Sequence, residues 1–330
     1  FNENPYGPSP RVIDRLQEVQ ARSNRYASFH QYDFLKLKQL IAKQEAVKPS
    51  QVVLGHGSIQ PLRWLAIMHG GPNAEFVVPA PAFDVVGSYA RVMGTNVKTI
   101  AADSNLGTDL NAMSEAINDK TTLAVVVNPN NPTGTSVPAS DLVNFCKSLP
   151  PSCLVSIDEA YIHYLGAQWR SQSMASLVSQ HPNILVTRTF SKIYGMAGLR
   201  IGFMIASEQL VSRIEKEFMM GFPGNMPNTL SVAAAMAALE DESFLVDSRR
   251  KNSLMKQEIY GQLTKKGWRH ITSDTNFVYF HTPDFLNFKK LMNKNGVLLA
   301  GGWPTKANWG RVTVGNAQEM EVFFKLLRQA

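Results

Sequence analysis

TRTFSKIYGMAGLRIGF, residues 187–203, runs from a β-branched strand end into a turn rich in hydroxyls and glycines. Lys192 sits inside that turn and Arg200 follows eight positions later. A lysine so placed can condense with an aldehyde as a Schiff base, because burial readily lowers the pKa of its amine. Thr189, Ser191 and Arg200 can then grip a phosphate, since hydroxyls and a guanidinium fork suit a dianion. Gly195 and Gly198 are expected to let the backbone bend close to that anion. A strand followed by a basic surface turn is the alternative reading of the same residues.

Upstream, short apolar runs alternate with amphipathic segments: QVVL near Val52, EFVVP near Val77, TLAVVVN near Val126, CLVSID near Val155 and NILVT near Val186. This alternation predicts an α/β fold, a buried and mainly parallel sheet with helical crossovers. The helices are expected at 62–69, 83–93, 113–118 and 139–149. Ligands bind beyond the carboxyl ends of strands in such sheets, so the polar residues after each run become candidates. After about residue 207 the pattern changes to long helices at 209–220, 227–239 and 244–266, then strands within TNFVYFHT and GRVTVG. That change predicts a second, smaller α+β domain. The expected division is an N-terminal arm, 1–24, packed with the small domain or a second subunit, a large domain, 25–207, and a linking helix plus small domain, 208–330.

The polar candidates converge on one chemistry. NPNNPTG, residues 128–134, forces a rigid turn in which the Asn131 amide can reach a phenolate oxygen of a ring cofactor; an ordinary Asn-Pro turn is the alternative. SIDEAYIHY places Asp158 directly after a buried run and Tyr161 three residues on. A buried carboxylate needs a partner, and a pyridinium nitrogen is one; a capping aspartate or a lysine pair is the other. LGHGSIQ, residues 54–60, follows a strand and precedes a helix, so the N–H groups of Gly57, Ser58 and Ile59 can face a phosphate. Phe83, in PAPAF, can stack on a ring or simply fill the core. Arg311 opens GRVTVG and can hold a carboxylate or phosphate bidentately, or lie on the surface.

Bulk properties set the outer bounds. A chain of 330 residues with net charge +7 has room for two cores, and its basic residues are dispersed without the runs of a nucleic-acid binder. Cys146 and Cys153 lack the close pairing of a metal or redox motif, no metal is expected, and no apolar run reaches the length of a membrane span. A cytoplasmic location is the expectation, with a leader or flexible start missing before Phe1.

Taken in order, NENPYGPSP (2–10), RYASF (25–29), NPNNPTG, DEAYIHY (158–164), FSKIYGMAGLRIGF (190–203) and RVTVG (311–315) resemble blocks of the fold-type I pyridoxal-phosphate enzymes. Within that group the likeness is to class I/II aminotransferases, and specifically to their histidinol-phosphate aminotransferase branch. The resemblance implies a large domain with a seven-stranded sheet and a pyridoxal 5′-phosphate cofactor on Lys192, which also shuttles the substrate α-proton. It implies that Asp158 pairs with the ring nitrogen and that Asn131 and Tyr161 bind the ring 3-oxygen. Thr189, Ser191, Arg200 and the Gly57 to Ser58 amides, with Ile59 beside them, would take the phosphate, joined by Tyr26 of the other subunit, with Phe83 against the ring. It further implies a homodimer in which Tyr26 and Tyr6 reach the neighbouring site, Tyr6 lining the substrate pocket from the arm, with Asn131 also facing the substrate and Arg311 taking its anionic group.

The sequence departs from the branch in GVLLAGGWP, where Ala300 and Gly301 replace a second arginine. The missing guanidinium removes a contact worth about 1.5–3 kcal/mol. Together with nearby Trp303, this leads to an expected substrate less anionic than histidinol phosphate. Phe83 stands where a tyrosine is frequent, and Ile59 replaces a polar residue. A decarboxylase of the phosphothreonine type shares these blocks. A non-catalytic α/β binding protein or a Rossmann-type oxidoreductase is a further alternative, although the G-x-G-x-x-G turn is absent from this sequence.

Overall fold

The computed structural model describes residues 1–26, 31–220, 226–303 and 306–330, without the side chains of Gln31 and Tyr32. Part of the RYASF block, 27–29, and Pro304 of GVLLAGGWP therefore lie outside the described residues. Helices α1 (Pro10–Val19) and α2 (Gln31–Glu45) precede strand β1 (Val52–Gly55), α3 (Ile59–His69), β2 (Glu75–Ala80), α4 (Val85–Val92) and β3 (Asn96–Ala101). Then come α5 (Leu110–Ala116), β4 (Thr121–Val127), α6 (Ala139–Ser148), β5 (Leu154–Asp158), the short α7 (Trp169–Gln172), β6 (Ile184–Thr189) and β7 (Gly202–Ile205). These strands form one sheet in the order β1-β7-β6-β5-β4-β2-β3. All its neighbours are parallel except β7, which runs antiparallel to β1 and β6. Near-continuous apolar runs such as TTLAVVV suit strands covered by helices on both faces.

The sequence pattern missed β3 and β7 for physical reasons. NVKTIA is an edge strand, half exposed and mixed in polarity. GFMI is four residues long and begins with the glycine that its neighbours require: a Cβ on Gly202 would lie 2.6 Å from Ser58 N.

The second half contributes α8 (Glu208–Ile214), α9 (Thr229–Leu239), α10 (Glu242–Lys265), β8 (Phe277–His281), α11 (Phe285–Lys294), β9 (Ala300–Trp303), β10 (Lys306–Thr313) and α12 (Ala317–Gln329). The three strands pair antiparallel in the order β8-β10-β9. The helix expected to reach residue 220 ends at Ile214, where a π-helical turn, Glu215–Met219, leads to Met220 in a left-handed conformation. Two cores result. The larger takes in the seven-stranded sheet together with Val12 of α1 and Val232, Ala234 and Ala235 of α9. The smaller gathers Ile259, Phe280, Phe288 and Phe323 beneath the three-stranded sheet. Residues of α1 and α9 thus belong to the larger core, and the residues of the smaller one begin at Ile259 of α10.

One charged network lies within the larger core. Arg188, fully buried on β6, donates to Glu45 of α2 at 2.7 Å and to Glu159 at 2.8 Å, and its guanidinium stacks 4.9 Å from the Trp169 ring. Ser173 Oγ accepts a further bond at 2.6 Å. Removing the cation leaves two buried carboxylates unpaired. Arg188→Met is therefore expected to cost about 3–5 kcal/mol of stability, measured by urea unfolding of the cofactor-free chain.

Candidate active site

The carboxyl ends of β4, β5 and β6 open into a cleft of about 610 Å³ that is closed on the far side by β10 and the first residues of the chain. Its floor is Asp158. The carboxylate is buried, accepts from Thr187 Oγ1 at 3.1 Å, and has no ion pair with any described residue. Burial is the main cause that pushes its pKa up to about 6, against the hydrogen bonds from Thr187 and the Ala160 N–H.

Lys192 follows the end of β6, where Thr189 Oγ1 caps the turn by accepting from Ser191 N at 3.1 Å. Burial lowers the Lys192 pKa to about 8, helped by Arg311 and opposed by Glu3 and Asp158. The amine donates to the Phe1 carbonyl at 2.7 Å and lies 5.4 Å from the centre of the Tyr161 ring.

Beside it stands an anion cradle. Arg200 Nη1 donates to Ser191 Oγ at 3.3 Å, and Thr189 Oγ1 to Ser191 Oγ at 2.8 Å. The N-terminus of α3 completes the cradle, with Ser58 as an N-cap whose side chain caps nothing. Gly57 has φ +69°, and a Cβ there would come within 2.7 Å of Arg200 Nη2. Only glycine lets the arginine sit behind this turn.

The opposite wall carries Asn131 and Arg311. The 128–134 loop is held by Asn130, which donates to Pro81 O at 3.0 Å and to Thr133 Oγ1 at 2.9 Å. This tie also fixes the turn that bears Phe83, which lines the cleft with one face open. Arg311 Nη1 donates to Asn131 Oδ1, leaving the Asn131 amide N–H groups as free ends of that side chain. Arg311 Nε is buried without a hydrogen-bond partner, and Arg311 has no ion pair among the described residues.

The structure thus brings together Ser58, Ile59, Phe83, Asn131, Asp158, Tyr161, Thr189, Ser191, Lys192, Arg200 and Arg311, with Gly57 behind Arg200. Tyr6 and Tyr26 stand apart from this cleft. Tyr6 lies under the Lys251 amine, 4.6 Å from the ring centre, and Tyr26 is 60% exposed.

Two expectations need correction. Gly195 does not bend toward the anion: its φ of +68° makes room for the Gly7 carbonyl of the N-terminal arm. Trp303 does not line the cleft either, because it packs edge-on against Tyr279 at 5.6 Å in a separate cluster with Trp309. Ala300, by contrast, is the register partner of Arg311, so the residue opposite it on the neighbouring strand carries only a methyl group.

Sequence reasoning passed over Asn2 and Asn4. Asn4 Nδ2 donates to Ile193 O at 2.8 Å, and Asn2 Nδ2 to Tyr161 Oη at 2.9 Å. The signal available was two amides flanking a glutamate immediately before a proline. A second depression, of about 790 Å³ between α5 and α6, is lined by Asp103, Asp109 and Asp141 but holds none of the groups described above.

These groups fit a phosphorylated pyridine aldehyde. A buried acid with no ion pair among the described residues can seat a ring nitrogen, a lysine of lowered pKa can condense with the aldehyde, and the cradle can take the phosphate. Such a cleft on such a sheet defines the fold-type I pyridoxal-phosphate enzymes. The aminotransferase class I and II family matches residues 1–327, and the chain belongs to it. It is a pyridoxal-phosphate-dependent aminotransferase similar to histidinol-phosphate aminotransferases.

The histidinol-phosphate aminotransferase of Moorella thermoacetica is 36% identical over 99% of this chain and 83% of its own length. Histidinol-phosphate aminotransferase 1 of Dechloromonas aromatica is 34% identical over 100% and 88%. The Sinorhizobium meliloti histidinol-phosphate aminotransferase, solved with pyridoxal-5′-phosphate, has 25% identity, covers 99% of this chain and 90% of its own, and superposes with a TM-score of 0.88. No helix among the described residues is long and apolar enough to cross a membrane.

Proposed function

We propose that this cleft moves an amino group from a donor with an anionic head group to a 2-oxo acid in two half-reactions, in which the cofactor would carry the amino group and Lys192 would move the proton. The observation that carries the reading is one cleft holding Lys192, an acid without a cation at Asp158 and a guanidinium without an anion at Arg311. Bound there, pyridoxal phosphate supplies an aldehyde that condenses with amines and a ring that accepts the electrons of the α-carbon bond being broken. Asp158 would hold the ring nitrogen in its protonated form, and Asn131 and Tyr161 would bind the ring 3-oxygen. Thr189, Ser191, Arg200 and the first N–H groups of α3 hold the phosphate. Phe83 would pack on the ring, and Ile59 would keep the adjoining wall apolar. Lys192 Nζ, lowered toward neutral pH, takes the proton from the substrate α-carbon and returns it.

In the same reading two copies of the chain pair, and Tyr6 and Tyr26 complete the neighbour's cleft. Their distance from their own cleft supports this. The lobes of this reading are 25–207 and 208–330, with the arm, 1–24, reaching the second subunit.

Histidinol phosphate is the donor supported by the relatives' names. A second reading, an amino acid with an uncharged side chain, is favoured by Ala300, which leaves Arg311 as the sole arginine on the substrate wall among the described residues. Each amino acid and histidinol phosphate, mixed separately with the holoenzyme, is to be followed by bleaching of the visible absorbance. Fastest bleaching by histidinol phosphate supports the first reading; fastest bleaching by a neutral amino acid supports the second. Carbon dioxide released from phosphothreonine without a keto product would replace both with decarboxylation.

Arg311→Gln removes the charge-assisted grip on the substrate anion, worth about 1.5–3 kcal/mol. The expected result is a KM about 10- to 100-fold higher with kcat changed far less, read from steady-state rates with the donor that the screen identifies.

A further inference from the structure

Asn2 is a buried residue with a left-handed backbone, φ +60°, a conformation that asparagine tolerates better than most side chains. Each end of its amide is engaged. Nδ2 donates to Tyr161 Oη at 2.9 Å, and Oδ1 accepts from Thr313 Oγ1 at 2.8 Å. Its backbone carbonyl accepts from Asn276 Nδ2 at 3.1 Å. One residue is thereby tied to the segment after β5, to β10 and to the residue that leads into β8.

A phenol carries a single proton. With an amide N–H directed into its oxygen, the Tyr161 proton is free to point elsewhere. The ring itself is fixed, because Phe277 packs edge-on at 5.2 Å and the Lys192 amine lies over its face. The hydroxyl belongs to a residue that lines the cleft. Thr313 lies two residues beyond Arg311 on β10, and residues two apart on a strand share a face.

We propose that Asn2 is a positioning residue: it donates into the Tyr161 hydroxyl, is itself held by Thr313, turns the phenol proton toward the cofactor's ring oxygen, and links that proton to the strand carrying Arg311. The inference rests on the reading above, in which pyridoxal phosphate on Lys192 occupies the cleft. A donor at the ring oxygen stabilises its deprotonated form. Without that donor the more negative oxygen keeps the proton on the neighbouring nitrogen to higher pH.

The test is the pH midpoint of the visible absorbance of the resting holoenzyme, an equilibrium spectrum that requires no turnover. Asn2→Ala is expected to raise the midpoint by roughly half a unit to one unit. Thr313→Val, at a residue that is not among those lining the cleft and makes no hydrogen bond to Tyr161, is expected to raise it less. In the Asn2→Ala background Thr313→Val should add nothing, and in a Tyr161→Phe background Asn2→Ala should add nothing, as expected for residues acting in one chain. An unchanged midpoint in Asn2→Ala, a full shift persisting in Tyr161→Phe, or a midpoint that falls would overturn the proposal. The last result would mean that the phenol donates to Asn2 instead. If Asn2→Ala does not fold, the Thr313→Val and Tyr161→Phe pair decides by the same non-additivity. Wild-type protein showing no visible absorbance with pyridoxal phosphate would instead refute the underlying reading, and this inference with it.

Discussion

Lys192→Ala is expected to lower kcat for amino transfer by at least about 10³-fold and to remove the visible absorbance of the bound cofactor. Two functions are lost together. In the proposed reading the amine both bonds the aldehyde and acts as the base for the substrate α-proton; a positioned base alone contributes about 10²–10⁴ in rate. Its readiness for both comes from its surroundings. Burial and the Arg311 charge bring its pKa to about 8, so a sizeable neutral fraction exists near pH 7. Lys192→Arg should be equally inactive, because a guanidinium stays protonated and cannot condense. Full activity in either variant would remove Lys192 from the mechanism. Stopped-flow spectra of the half-reaction and steady-state rates are the measurements.

Asp158→Asn produces opposite effects on stability and on cofactor binding. In the cofactor-free chain burial raises the Asp158 pKa from 3.8 to about 6, so between those values the folded chain binds the extra proton. Stability therefore falls as pH rises through that window, by an amount on the order of 3 kcal/mol once pH exceeds 6. An asparagine does not ionise. The cofactor-free variant is expected to be more stable than wild type at pH 7 and no different near pH 3.

Cofactor binding changes the other way. The bound ring cation should depress the Asp158 pKa below its cofactor-free value, so wild-type affinity is present above about 6 and is lost as pH falls through it. Asp158→Asn should bind pyridoxal phosphate at least about 100-fold more weakly at pH 7, the consequence of losing a buried ion pair worth roughly 3 kcal/mol or more. It should also lose the dependence around pH 6. Cofactor titration by fluorescence quenching at several pH values, together with urea unfolding, separates the two effects. A variant that binds as tightly as wild type would show that Asp158 is not the partner of the ring.

The residues legible in the sequence were those whose chemistry is displayed at the end of a buried strand. Asp158, Lys192 and Asn131 each follow an apolar run, and an ionisable or amide group there has few structural reasons to exist. Arg188 obeyed the same logic but was hidden by its neighbours Thr187 and Thr189; its two carboxylate partners come from α2 and from the residue after Asp158, which no local pattern joins. Asn2 was illegible for a different reason. Its contacts, Tyr161, Thr313 and Asn276, are separated from it by 159 to 311 positions and depend on where the arm crosses the cleft. Gly195 was misassigned because a glycine's need shows only when its neighbour, here the Gly7 carbonyl, is in place. The absent second arginine was visible in the sequence, and the strand register then put Ala300 beside Arg311.

The central claim, that Lys192 is the lysine holding the cofactor, has a competitor in Lys256. Burial lowers its pKa to about 8 as well, but its amine donates to the Ser273 carbonyl and lies outside the cleft. Lowered basicity alone cannot choose between them; the surrounding acid and anion cradle can. Borohydride reduction of the holoenzyme fixes the cofactor to whichever amine bears it, and peptide mass mapping then reads the site. A pyridoxyl mass on the peptide containing Lys192 and on no other is the predicted result. The mass on Lys256 or another lysine, or on none, would contradict the account.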